Sequence, residues 1–199
     1  MMITKAKLPL LSSLIFTLFM ASGCGIQSIP RQNNEVEASW AEVISQYQRR
    51  AELIPNLVET VKGYAKHEKE TLQSVVEARA KATQTQFNFD QLTPENLQKF
   101  QEAQSGLAGA LSRLMVIAEQ YPDLKANQNF RDLQVQLEGT ENRITVARQR
   151  YIESVKNFNN LVTVFPTNLT NSLFFHFEKR PQFTVENEKE IQKAPEVKF

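Results

Sequence analysis

Apolar positions recur at three- and four-residue spacing over most of this chain, and that spacing predicts helices. Val36, Trp40, Val43, Ile44, Tyr47, Ala51, Ile54, Leu57, Val58, Val61, Ala65, Leu72, Val75 and Val76 follow one stripe. An unbroken helix of about 50 residues would be ~75 Å long. Pro55 lies inside this run. It lacks the N–H that would bond the Ala51 carbonyl, and its ring presses on that carbonyl, so the pattern predicts a kink at Pro55 that divides the helix in two. Asn56, beside it, is the side chain expected to satisfy the Ala51 carbonyl. Asn33 or Asn34 is placed to cap the start.

The period fades over residues 83–91, which read as a loop. Thr93-Pro94-Glu95 then gives a helix start: a cap, a proline for the first turn and an acid at the positive end of the dipole. The second long helix carries Leu97, Phe100, Ala103, Leu107, Ala108, Leu111, Leu114, Met115 and Ala118, and stops before Pro122. Asn127 or Asn129 caps a third. Its stripe is the most regular in the chain: Phe130, Leu133, Leu137, Thr140, Ile144, Ala147, Tyr151, Ser154, Phe158, Leu161 and Phe165. That heptad spacing belongs to helices packed at shallow angles. Pro166 ends it. Residues 169–177 make a short fourth helix with Leu173, Phe174 and Phe177 facing in. Residues 179–199 are charged, carry Pro181 and Pro195, and read as an extended tail.

Composition narrows the class without naming a reaction. A 41% hydrophobic, 23% charged chain of 199 residues can build one sizeable core. Taking Lys5 and Lys7 from the 23 basic residues leaves 21 against 22 acids, a net charge of −1 beyond the leader. Such a domain lacks the basic footprint of a nucleic-acid binder. With one cysteine, no internal disulfide can form.

Residues 1–23 have the three parts of a secretory leader. Lys5 and Lys7 are the positive start, residues 8–20 the apolar centre, and Ala21, Ser22 and Gly23 the small residues before Cys24. The last four resemble a bacterial lipobox, apart from Ala21, where leucine is usual. The resemblance implies a diacylglyceryl group on the Cys24 sulfur, palmitate-type acylation, and cleavage before Cys24. Two or three acyl chains hold a protein stably on a membrane. The alternative is an uncleaved leader kept as an anchor. Residues 24–34 then read as lipidated cysteine and flexible linker, 35–178 as the helical body.

Residues 49–68, RRAELIPNLVETVKGYAKHE, resemble the signature of the LemA family: a basic pair (Arg49, Arg50), then LIPNLVE with Pro55 and Asn56, then VKGYA with Gly63 and Tyr64, then His67-Glu68. YPDLKAN at 121–127, the block at 130–151 with Glu141, Arg148 and Tyr151, and FPTN at 165–168 with Pro166 are similar to further family blocks. Where those blocks have asparagine after the tyrosine, this chain has Ile152. The resemblance covers roughly residues 36–183. It implies an all-α, elongated antiparallel bundle of three to four long helices, and is informative about architecture rather than activity.

The candidate chemistry is sparse. Two histidines, His67 and His176, exclude a His-rich metal site. His67, Glu68 and Glu70 do not converge on one helix face and read as a solvated patch. His176, among phenylalanines, reads as packing or a terminal hydrogen bond. Gly106 and Gly109 read as a close helix contact. Arg148 and Arg150 stand to pair with acids of another helix, for instance Glu68. Arg49, Arg50 and Glu52, near Pro55, carry two readings: a buried Arg–carboxylate pair that sets register, or charges solvated or locally paired. Trp40, Tyr47, Tyr64, Tyr121 and Tyr151 lie on the stripes and read as core. No cofactor is indicated.

The function expected is a membrane-tethered scaffold or protein-interaction module of the bacterial envelope, on the extracytoplasmic side, with an unidentified envelope protein as partner and no nucleic acid. Two alternatives stay open: a ligand sensor with an apolar pocket in the bundle, and a hydrolase using carboxylates such as Glu68 and Glu141.

Overall fold

The computed structural model describes the backbone of residues 7–183 and the side chains of residues 26–183. The Cys24 side chain and the charged segment 184–199 lie outside the described residues, and so do the roles expected of them. The elements are α1 (Lys7–Tyr64), α2 (Lys69–Gln84), a 3-10 turn (Phe89–Gln91), α3 (Pro94–Ala118), α4 (Pro122–Ala126), α5 (Gln128–Thr163), α6 (Thr167–Thr170) and a π-turn (Asn171–Phe175). No strand occurs among the described residues. The fold is an all-α helical bundle.

The capping chemistry read from the sequence is present. Thr93 Oγ1 accepts from the Asn96 N–H at 3.1 Å with Pro94 in the first turn of α3. Asn127, rather than Asn129, opens α5: its Oδ1 accepts from the Phe130 N–H at 3.1 Å.

The described residues form two compact units. In the first, residues up to 46 of α1 meet residues 144–180. Ile29, Val36, Trp40 and Val43 are buried, as are Ile144, Ala147, Tyr151, Val155 and Phe158. Trp40 and Tyr151 pack ring to ring at 5.4 Å, Ser39 and Ser154 share a buried hydroxyl hydrogen bond of 2.7 Å, and Arg150 pairs with Glu42 at 2.6 Å. These contacts set α1 and α5 antiparallel, with the small Ser39, Ala147 and Ser154 letting the backbones approach.

The second unit spans residues 47–143. Its core joins Ile54, Leu57 and Val61 of α1, Leu72 and Val75 of α2, Leu107, Leu111 and Leu114 of α3, Leu124 of α4, and Phe130, Leu133 and Leu137 of α5. Each such side chain, fully buried, contributes about 1.5–3 kcal/mol. Tyr47 and Phe100 meet edge to face at 4.9 Å.

Several expectations are corrected here. α1 is not divided at Pro55: it continues to Tyr64, and the chain turns at residues 65–68 instead. Pro55 is exposed, one residue off the buried stripe at Ile54, so its ring meets solvent rather than a packed neighbour. Neither Asn33 nor Asn34 starts α1, and residues 26–34 are helical rather than a linker, because Ile29 is fully buried and extends the stripe. At the far end of α5 the stripe shifts to Val155 and Val162, leaving Phe165 exposed. In place of a fourth helix over residues 169–177, α6 gives way to the π-turn, and Leu173 and Phe174 face solvent rather than the core.

Candidate functional site

The most buried charge in the described structure is Arg50, 3% exposed. It is carried on the α1 stripe between Tyr47 and Ile54, so helical periodicity sends it inward. The second unit holds it on four sides. One terminal nitrogen donates to Glu141 Oε2 at 3.0 Å; the other donates to Gln104 Oε1 at 2.6 Å and to the Gln104 carbonyl at 3.3 Å. The guanidinium lies over the Tyr47 ring at 4.9 Å. Gln104 in turn donates to the Ala82 carbonyl at the end of α2, at 3.2 Å. One guanidinium therefore ties α1 to α3 and α5 directly, and to α2 through Gln104. This corrects the reading of Arg50 as solvated; Arg49, its neighbour, is exposed. Sequence reasoning passed over Gln104, although it continues the spacing of Leu97, Phe100, Leu107 and Leu111.

The turn after α1 is a second concentration of motif residues. Tyr64 is on the exposed side rather than in the core, and its hydroxyl accepts from Asn127 Nδ2 at 2.9 Å. Glu68 accepts from the Tyr121 hydroxyl at 2.9 Å. That bond and the nearby negative charge raise the Tyr121 pKa above its usual value. Thus the GYAKHE and YPDLKAN blocks are clasped side chain to side chain. His67, between the two contacts, is exposed.

Pro55 and its consequence lie in the same unit. The Ala51 carbonyl accepts from Arg79 Nε at 2.8 Å. Asn56, expected to serve it, is exposed, and its own carbonyl accepts from Thr60 Oγ1 at 2.7 Å.

The other predicted residues fall apart from these groups. Arg150 pairs with Glu42 and not with Glu68. Arg148 is half-buried and Pro166 exposed. Tyr151 is fully buried, and burial pushes its hydroxyl pKa well above the usual value, with Arg180 opposing. His176 is exposed, at a left-handed φ of 58°, where its backbone N–H donates to the Asn171 carbonyl and closes the π-turn. Gly63, Gly106 and Gly109 are exposed, and a Cβ on any of them would meet nothing within 4 Å. The close helix contact expected at Gly106 and Gly109 is therefore corrected.

Glu68 and Glu141, the acids weighed for hydrolysis, do not share a site. Glu141 meets Arg50, and the helix from Arg50 to Tyr64 alone covers about 20 Å before the Glu68 turn. No cluster of three metal-ligating side chains occurs among the described residues. A groove of about 610 Å³ lies over Val58, Leu72 and Val76, rimmed by Lys62, Lys66 and Lys69. Lys62 is paired with Glu59 at 3.4 Å. The groove can receive an apolar body bearing an anionic group.

Residues 39–199 match the model of the LemA family. The chain is 25% identical over 138 residues to Protein LemA of Metamycoplasma hominis, a match covering 69% of this chain and 59% of that protein. It thus spans under two thirds of that relative's length. It is also 32% identical over 66 residues to magnetosome protein MamQ 2 of Paramagnetospirillum magneticum, covering 33% of this chain and 24% of the relative. With most of its length matched and the motif residues holding its helices together, this chain belongs to the LemA family.

Proposed function

We propose that this protein is a membrane-tethered helical scaffold of the bacterial cell envelope, presenting its bundle to a protein partner outside the cytoplasmic membrane. The observation that carries the reading is the use to which the motif residues are put. Arg50, Tyr64 and Glu68, with Gln104, Tyr121 and Asn127, are engaged in contacts that lock helices together. A buried Arg fixed by hydrogen bonds is a register device more readily than a catalyst. Tethering is supported by the leader, which ends in small residues at the single cysteine. Among the described residues no helix is long and apolar enough to cross a membrane.

The test is cell fractionation of the full chain beside Cys24→Ser, with an alkynyl palmitate label, followed by cross-linking in intact cells. The expected result is label and membrane partition that depend on Cys24, plus a recurrent cross-linked protein. Membrane partition without label at Cys24 would remove the lipoprotein reading. Repeated absence of any cross-linked protein would remove the scaffold reading.

The lysine-rimmed groove favours a second reading, a sensor for an amphipathic anion. Calorimetry with a medium-chain fatty acid checks it; no heat at millimolar ligand would dismiss it.

A further inference from the structure

The first unit carries an apolar surface that its own core does not use. Val164, Phe165, Leu169, Leu173 and Phe174 are all exposed, Phe165 by 73%, Leu173 by 70% and Phe174 by 64%. Other exposed apolar side chains of the described residues are spread along the sequence. Leaving three such side chains in water is unfavourable unless something covers them.

The antiparallel register says what lies at their level. Glu42 pairs with Arg150, Trp40 packs on Tyr151 and Ser39 bonds Ser154. Each step back along α1 is matched by a step forward along α5. Continued at that register, Ile29 faces the last turn of α5, and the segment after α5 comes level with the α1 turn that holds Cys24. Arg180 fastens the segment there. It donates to Asn33 Oδ1 at 2.9 Å, its N–H donates to Asn159 Oδ1 at 2.8 Å, and its guanidinium lies over Phe158 at 5.9 Å. Asn171 closes the π-turn from inside, with its amide bonded to both the carbonyl and the N–H of Phe177. The corner is therefore held in place with its apolar side chains outward. Arg31 on α1 and Lys179, five residues past Phe174, are exposed, with Glu178 as the acid beside Lys179.

We infer that residues 164–174 form a membrane-contacting corner, in which Phe165, Leu169, Leu173 and Phe174 enter the interfacial layer of the lipid bilayer at the level where the leader and Cys24 meet it. This rests on the tethered reading above. A leader or acyl chain at Cys24 brings a lipid surface to this height on α1, and aromatic and aliphatic side chains with flanking cations suit the boundary between headgroups and acyl chains. A second contact beside a single tether restricts how the first unit can tilt on the membrane. It explains why a corner fixed by Arg180 and Asn171 leaves its large side chains uncovered.

The experiment uses the full chain, purified from membranes and reconstituted into phosphatidylcholine–phosphatidylglycerol vesicles with brominated acyl chains. Phe174→Trp places a reporter in the corner, and Val76→Trp places one on an exposed position of the second unit. Native Trp40, buried, gives the baseline. Vesicle flotation is read on the same samples. The expected result is co-flotation of all three chains, with quenching of the Phe174→Trp emission at least about twofold beyond the native chain and none added for Val76→Trp. Co-flotation with Phe174→Trp no more quenched than native would overturn the corner while leaving the tether standing. Equal quenching at both reporters would overturn the corner as the specific contact. A chain that stays off the vesicles would overturn both.

Discussion

Arg79 Nε, on α2, donates to the Ala51 carbonyl at 2.8 Å, the carbonyl that Pro55 leaves without its helical partner. A proline in mid-helix removes one hydrogen bond and leaves an acceptor open. Here a neighbouring helix supplies the donor, so the gap in α1 becomes a cross-link between α1 and α2. Arg79→Met is expected to destabilise the protein by about 1–2 kcal/mol, the cost of a charge-assisted hydrogen bond and an orphaned carbonyl. In a Pro55→Ala background the restored N–H competes for that carbonyl, and the same substitution should cost clearly less. Urea unfolding of the four proteins measures the coupling. Equal costs in both backgrounds would show that the two residues are independent.

The Arg50 cluster is asymmetric in burial, and its energetics should follow. Gln104 is buried, whereas the Glu141 side chain is 57% exposed. Gln104→Ala removes a buried acceptor of the Arg50 guanidinium and the amide that donates to the Ala82 carbonyl, and should cost about 2–3 kcal/mol. Glu141→Ala removes a partner that water replaces in part, and should cost about 1 kcal/mol or less. A larger loss for Glu141→Ala in chemical denaturation would contradict this ordering.

Gly106 and Gly109 interrupt α3 on its exposed side with open space beyond them. Alanine at each should add about 0.5–1 kcal/mol by lowering the backbone entropy lost on folding. Thermal unfolding of Gly106→Ala/Gly109→Ala should therefore rise. A fall would mean that something in the cell-free protein packs against this face.

Alkaline pH should unfold the protein steeply. The Tyr151 pKa is raised from its ordinary value of 10.0 by burial, so above that pH the unfolded chain gives up a proton that the folded one keeps. The stabilising term is complete below about pH 10 and declines by about 1.4 kcal/mol per pH unit above it. Tyr121, raised by its bond to Glu68, acts in the same direction. Stability measured from pH 9 to 11 should fall less in Tyr151→Phe than in the parent. Parallel curves would place the titrating group elsewhere.

The clasp after α1 should report locally rather than globally. Tyr121→Phe removes the Glu68 bond at an exposed turn. Amide hydrogen exchange at residues 65–68 should quicken, with little change in α5. Unchanged exchange in that turn would show that the backbone bonds there, such as Glu68 N–H to the Ala65 carbonyl, suffice alone.

By itself the sequence determined what one helix can decide. The three-and-four spacing set the helices and most of the core, from Val36 through Leu107 to Phe158, because a stripe of apolar side chains has one way to leave water. Thr93 and Asn127 were legible as caps because capping is a contact within four residues. What Pro55 does was not legible, since the answer depends on Arg79, 28 residues away. Gln104 sat in plain view on its stripe, but a glutamine there has meaning only once Arg50 arrives from another helix. The clasp of Tyr64 and Glu68 by Asn127 and Tyr121 likewise joins residues more than 50 apart. The corner at 164–174 reversed the pattern: its apolar spacing reads as core, and only the tertiary structure turned it outward. α5 ends at Thr163, and past that point Asn171 and Arg180 fix the chain so that Phe165, Leu173 and Phe174 have no helix left to cover them. Hydrophobic periodicity states which side chains seek burial; the arrival of a partner surface decides which of them obtain it.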